Sequence, residues 1–269
     1  MMNSRTPRVS LLSTGGPTAL IELGGLRLLT DPTFDAPRDY VSTSGAKLTK
    51  TGGAALAPEA LGRIDAILLS HDQHPDNLDR AGRALLARVP RVLTTVAGAA
   101  RLVDRGDAEH AEGLVPWETR QLERPDGGLL TVTAVPALHG PEGAEVISGP
   151  VIGFVLSAQG LPTVYVSGDN ASLELVEEIA RRHGPVDTAV IFAGAARVPA
   201  VYGSDTLLTL DSAQAAEAAR LLGARNAVVL HCDGWAHFSE DFADVEKAFT
   251  AAGLGERLSR TRHGSAYEL

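Results

Sequence analysis

The apolar run Ile64 to Leu69 breaks directly into Ser70-His71-Asp72-Gln73-His74-Pro75-Asp76-Asn77-Leu78-Asp79. A run that short, bounded by turn residues, reads as a buried strand. The imidazoles and carboxylates then fall in the loop at the strand's C-terminal end, where side chains converge on a ligand without burying unpaired polarity. Imidazole and carboxylate together suit zinc, iron or manganese. A plain turn is the competing reading, since Pro, Asp and Asn are common turn and cap residues, and Asp76 or Asn77 would cap a helix running from Leu78 through Arg88.

The same arrangement recurs along the chain. Leu129 to Val135 leads to Pro136-Ala137-Leu138-His139-Gly140, Thr163 to Val166 to Ser167-Gly168-Asp169-Asn170, and Ala227 to Leu230 to His231-Cys232-Asp233-Gly234. Sites in sheet folds are built where several strand ends face one crevice. Further strands are expected around Val9 to Ser13, Ala19 to Leu23, Leu26 to Thr30, Val92 to Thr94, Ile152 to Ser157 and Ala189 to Phe192. Apolar spacing of three and four residues predicts helices over Leu78 to Arg88, Leu173 to His183, Ala213 to Leu222 and Phe242 to Ala251. The 28 Gly and 15 Pro are scattered as turn punctuation, so the 269 residues are read as one mixed α and β domain without a linker.

The segment Thr18 to Pro32 resembles the opening hairpin and Thr-Asp-Pro turn of the metallo-β-lactamase-fold hydrolases, and the resemblance covers nearly the whole chain. It is closest to the branch containing ascorbate-phosphate lactonases and phospholipase-D-type N-acylethanolamine phosphodiesterases, to which Ser167-Gly168-Asp169 and His231-Cys232-Asp233-Gly234-Trp235-Ala236-His237-Phe238 are also similar. The resemblance implies an α/β fold, a four-layer αββα sandwich of two mixed β-sheets flanked by helices. The family motif is His-x-His-x-Asp-His. Here His71 and His74 stand one residue further apart than the motif allows, and Asn77 occupies the place of its last His.

By that resemblance, His71, His74 and His139 would hold one metal, Asp76 and His231 a second, and Asp169 would bridge them. Asn77 is a weak ligand at best, because an amide oxygen is neutral, so the second site is expected to be the weaker. The cofactor expected is one or two divalent metal ions, zinc first, with manganese or iron as alternatives. The implied function is a metal-dependent hydrolase in which hydroxide at the metal attacks an ester, lactone or phosphodiester of a small molecule. A non-hydrolytic iron or manganese enzyme and a degenerate metal-binding protein without turnover are the alternatives.

Asp76 and His237 are the candidate catalytic residues, Asp76 to position water or move a proton and His237 to reach a leaving group or oxyanion. For His237 a core-edge histidine before a helix near Ser239 is an equal reading. Asp31 is expected in a supporting role, accepting the outer N–H of a metal-bound imidazole, or as a turn residue before Pro32. Asp79 is read as a helix cap or dipole partner. Residues 33–58 form a long segment rich in small and polar residues, read either as a substrate-contacting loop or as a solvated connection. With the loop Ala193 to Asp205 it supplies Tyr40, Arg197 and Tyr202 as candidate substrate-binding residues.

Net charge −9 with Lys and Arg dispersed argues against a nucleic-acid partner, since gripping a polyanion needs a cationic surface. The single cysteine, Cys232, fits a reducing compartment. The polar stretch Met1 to Arg8 lacks the apolar core expected of a signal peptide, and no apolar stretch reaches the roughly 20 residues of a membrane span. A cytoplasmic protein acting on a small molecule is expected, with a homo-oligomer left open.

Overall fold

The computed structural model describes residues 9–41 and 47–269; the polar stretch Met1 to Arg8, and Ser42 to Ala46 of the 33–58 segment, lie outside the described residues. The chain opens with the meander β1 (Ser10–Gly15), β2 (Thr18–Leu23) and β3 (Leu26–Thr30). A separate hairpin of β4 (Arg38–Val41) and β5 (Lys47–Lys50) follows. Next come β6 (Ala66–Leu68), α1 (Arg80–Leu86), β7 (Val92–Thr95), α2 (Val96–Asp104) and β8 (Ala111–Leu114). The second half runs β9 (Thr119–Glu123), β10 (Leu129–Ala137), α3 (Glu145–Ser148), β11 (Val151–Ser157), β12 (Val164–Val166) and α4 (Leu173–His183). It closes with β13 (Thr188–Phe192), α5 (Pro199–Tyr202), α6 (Ser212–Leu221), β14 (Asn226–Leu230), α7 (Phe242–Ala251) and β15 (Ala266–Glu268).

One seven-stranded sheet has the order β15-β1-β2-β3-β6-β7-β8, and one six-stranded sheet the order β14-β13-β12-β11-β10-β9. Both are mixed: β3, β6, β7 and β8 run parallel, as do β12, β13 and β14, and the remaining neighbours are antiparallel.

Strand alternation builds the layers. Leu28, Leu68, Val132, Phe154 and Val166 share one buried cluster that joins the inner faces of both sheets. Their neighbours point the other way. Leu29 and Ile67 pack with Leu85 and Leu86 of α1 and Leu102 of α2. Val155 and Tyr165 pack with Val176 of α4, Ala215 of α6 and Val245 of α7. Helix, sheet, sheet, helix is the expected αββα order.

Three sequence expectations need correction. The helix after the His-rich loop is shorter than Leu78 to Arg88, and its cap is neither Asp76 nor Asn77: Asp79 accepts from the backbone of Gly82 at 2.8 Å, so α1 starts at Arg80. The 33–58 segment is partly regular, since β4 and β5 pair from Arg38↔Lys50 to Val41↔Lys47. Finally β8, β9, β15 and α2 were not expected. β9 and β15 are edge strands with mostly polar or exposed residues and so carry little alternation, whereas α2 does bury one face at helical spacing, Gly98, Ala99 and Leu102, a signal that sequence reasoning missed. Among the described residues no helix is long and apolar enough to cross a membrane.

Lys50 on β5 and Asp79 at the start of α1 form an ion pair at 2.8 Å with side chains only 4% and 0% exposed. The oxygen of Asp79 that meets Lys50 also accepts from the Asp35 backbone at 2.6 Å. The pair locks the hairpin against the segment that carries the His-rich loop. Asp79→Ala is expected to lower stability by about 3–5 kcal/mol, because it strands a buried ammonium and removes a cap. Chemical denaturation measures this, and adding Lys50→Met should recover most of the loss, since a buried ion pair replaced by apolar volume is often neutral.

Candidate metal centre

The segments that follow β6, β10, β12 and β14 deliver, in turn, His71 with His74, Asp76 and Asn77; His139; Asp169; and His231. Ligand atoms of His71, His74 and His139 lie within 4.8 Å of one another, as do those of Asp76, Asp169 and His231. Close backbone approach makes this convergence possible. Gly168 has φ of +60°, and a Cβ there would meet the Ile152 carbonyl at 2.6 Å and Ser70 at 2.8 Å. Gly194 lies against the His231 carbonyl, which a Cβ would meet at 2.3 Å. Both positions need glycine for the strand ends to pack.

Hydrogen bonds assign the imidazole tautomers. Asp31 Oδ1 accepts from the Ser70 backbone at 2.6 Å, and Oδ2 accepts from Ser70 Oγ at 2.7 Å. With its hydrogen so committed, Ser70 Oγ can only accept from His71 Nδ1, 2.9 Å away. His139 Nδ1 must likewise donate to the Leu208 carbonyl at 2.7 Å. Both Nε2 atoms therefore present lone pairs, and both face His74 Nδ1, at 2.9 and 3.2 Å. A single hydrogen on His74 Nδ1 cannot serve two lone pairs well; a cation among the three nitrogens can. Burial, then the neighbouring rings, holds His71 well below the usual histidine range and His74 down to about 4, so both are neutral and ready to ligate.

The second donor set is acidic. His231 Nε2 lies 3.4 Å from Asp76 Oδ2, and its Nδ1 3.7 Å from Asp169 Oδ1. Asp169 Oδ2 is also 3.7 Å from His139 Nε2, so this carboxylate stands between the two sets. Asp76 Oδ1, Asp169 Oδ2 and both ring nitrogens of His231 are buried without a hydrogen-bond partner. Orphaned acceptors at this density are costly unless something cationic satisfies them, and the donor chemistry fits a divalent metal. Burial raises Asp76, but His237 and His231 outweigh it and hold the carboxyl well below its ordinary range. For His231, burial pulls down while Asp169 and Asp76 together lift it above the usual histidine value.

Asn77 sits inside this cluster. Its amide donates to Asp31 Oδ2 at 3.1 Å and to Asp169 Oδ1 at 3.0 Å, leaving its buried Oδ1 without a partner. His237 Nε2 lies 3.0 Å from Asp76 Oδ2, and because a carboxylate only accepts, the ring donates there. The expected direct bond from Asp31 to a ligating imidazole is corrected: Asp31 reaches His71 through the Ser70 hydroxyl. Burial, opposed by Ser70, pushes Asp31 up to about 7.

The candidate substrate residues lie further out. Tyr40 is buried, its hydroxyl donating to Asp35 at 2.6 Å and its ring 5.4 Å from that of Trp235. Arg197 and Tyr202 lie on the loop that follows β13, Tyr202 at the end of α5. Cys232 is buried, and burial pushes its thiol up to about 12, so it stays protonated. Asp72, though part of the His-rich loop, is held by Arg101 of α2 at 2.5 to 3.2 Å.

Two residues that sequence reasoning missed are Ser70 and Leu208. A Ser before the first motif His is a legible hint for the former, whereas a carbonyl 69 positions from His139 leaves no sequence trace. Ser70→Ala should lower metal affinity by about 10- to 100-fold, the usual effect of losing an outer partner of a ligand; competition with a chromogenic chelator measures it.

Residues 26–232 match the family described as "Beta-lactamase superfamily domain". A curated metal-dependent hydrolase of Pyrococcus abyssi is 24% identical over 200 residues, spanning 74% of this chain and 80% of the relative. Among solved structures, a possible metal-dependent hydrolase from Veillonella parvula has a TM-score of 0.80 at 15% identity, covering 98% of this chain and 100% of that one. An isothiocyanate hydrolase from Delia radicum gut bacteria has a TM-score of 0.78 at 18% identity, covering 96% and 98%. The His and Asp donors thus stand at the strand ends of a fold shared with these structures, and the chain belongs to the β-lactamase superfamily domain family.

Proposed function

We propose that this protein is a metal-dependent hydrolase of a small molecule, with His71, His74 and His139 as one ligand set, Asp76 and His231 as the second, and Asp169 shared between them. The observation that carries the reading is the convergence of neutral imidazole lone pairs beside carboxylates with orphaned oxygens. Divalent cations bound there would lower the pKa of a water toward neutrality and polarise the electrophile. Zinc fits the imidazole-rich set best, with manganese or iron as alternatives for the more acidic one.

The remaining roles belong to the chain itself. Asp76 offers one oxygen to His237 and keeps Oδ1 for a cation or for the proton of an attacking water. His237 holds that carboxylate in place, a positioning role. Asn77 fixes Asp169 and Asp31 through its amide, and, being neutral, leaves the second set one imidazole short. That set is therefore the weaker.

An ester, lactone or phosphodiester is the substrate class we favour, on the chain's resemblance to lactonases and N-acylethanolamine phosphodiesterases. Similarity to an isothiocyanate hydrolase adds isothiocyanates to the electrophiles to assay. The net charge of −9 supports a small substrate over nucleic acid, and the single cysteine supports a cytoplasmic setting.

Elemental analysis of the purified protein should find about two equivalents of first-row metal, with both His139→Ala and Asp169→Ala reduced. Equal metal affinity in wild type and variants would sink the enzyme reading. His237→Gln should retain its metal and lose about 10- to 100-fold in kcat/KM on whichever electrophile the wild type hydrolyses, as expected for loss of a group that orients a reacting carboxylate.

A further inference from the structure

A groove of about 360 Å³ runs beside the metal centre, its apolar walls supplied by Leu48, Val198, Pro199 and Ala236, with Arg197 and His237 also lining it. His237 is the link, since its Nε2 donates to Asp76 while the residue also lines the groove.

Arg197 is the cation of this groove that is held yet unpaired. Its Nε donates to Ser239 Oγ at 3.3 Å and one Nη1 hydrogen to the Ser204 carbonyl at 3.0 Å. Its backbone N–H donates to the His237 carbonyl at 2.9 Å, tying its position to that of the metal-proximal histidine. Among the described residues no carboxylate pairs with this guanidinium. Lys47, the other cation of the groove, is neutralised by Asp39 at 2.9 Å. In a protein of net charge −9, a guanidinium anchored by neutral acceptors and left with free N–H groups is built to receive an anion from outside. Prior anchoring lowers the entropy cost of that contact.

We propose that the substrate is an amphipathic anion, apolar next to the scissile bond and carrying a carboxylate or phosphate at its far end, and that Arg197 recognises that oxyanion. The location of the scissile bond rests on the hydrolase reading; the anion site itself does not.

The test uses metal-loaded enzyme and a matched pair of esters, 4-nitrophenyl hexanoate and the mono-4-nitrophenyl ester of adipate, which share a leaving group and differ in the terminal charge. Wild type should prefer the charged ester by about tenfold or more in kcat/KM, the size expected for a charge-assisted hydrogen bond. Arg197→Ala should abolish the preference, bringing the charged-to-neutral ratio of kcat/KM to about one mainly through KM for the charged ester, and Arg197→Lys should keep part of it. A charged-to-neutral ratio identical in wild type and Arg197→Ala overturns the proposal. Calorimetric titration with hexanoate, hexyl phosphate and hexanol separates it from the hydrolase reading. If neither ester turns over, the hydrolase reading is weakened, but an anion that still binds about tenfold tighter to wild type than to Arg197→Ala upholds the site. Comparing the two anions identifies the favoured headgroup. Anion binding equal in both proteins, as for an ion sitting only on the metals, refutes it.

Discussion

The buried carboxylate of Asp31 is the joint on which the metal centre depends. It stands one residue past the end of β3, at φ +23°, and gathers donors from the next strand end and the loop beyond: the Ser70 backbone, the Ser70 hydroxyl and the Asn77 amide. Through Ser70 it determines which nitrogen of His71 carries hydrogen. Through Asn77 it is tied to Asp169, the residue between the two donor sets. None of these contacts touches a metal, yet each sets the orientation of a group that would. Such outer partners tune ligand basicity as well as direction, and the hydrogen bonds from Ser70 and Asn77 oppose, without cancelling, the burial that pushes the Asp31 carboxyl up to about 7.

Much of this was legible in the sequence, for a physical reason. A strand sandwiched between layers must be apolar for its whole length, so the residue where polarity begins marks the rim of the sheet. His71, His139, Asp169 and His231 all follow such a break, and the fold draws them together. The extra residue between His71 and His74 is no obstacle, because the loop brings their ring nitrogens to 2.9 Å. What the pattern could not convey is how side chains are oriented across space. Asp72 looks as suitable a donor as Asp76 in the linear sequence, but Arg101 on α2 captures it. The hairpin β4–β5 was hidden for a different reason: its strands are short and largely exposed, with Tyr40 and Leu48 its only buried hydrophobics, so no alternation could announce it.

Asn77 shows how a departure from a family motif can be absorbed. An imidazole at this position would offer a ligand nitrogen. The amide instead donates one hydrogen bond to Asp31 and one to Asp169, easing the repulsion between two carboxyls that would otherwise oppose each other directly. The amide at this position thus ties Asp31 to Asp169 and holds the acidic set in register without adding an imidazole nitrogen to it.

The hairpin joins the molecule from both sides. Lys50 is sealed onto Asp79, while the backbones of Thr51 and Ala236 exchange hydrogen bonds with Gly234 and Thr49 across the segment that bears His231 and His237. This has a consequence for how such proteins diversify. A hairpin fastened to both halves of the metal centre cannot be exchanged between relatives as an independent module: a transplanted loop that lacks the lysine would leave Asp79 buried and unpaired, and one of different length would tug on the chain that carries the ligands. Around residues 197–205 the backbone hydrogen bonds of Val201, Tyr202 and Gly203 stay within the loop and Arg197 supplies the tie to His237, so changes beyond Arg197 pull less on the ligand-bearing segments.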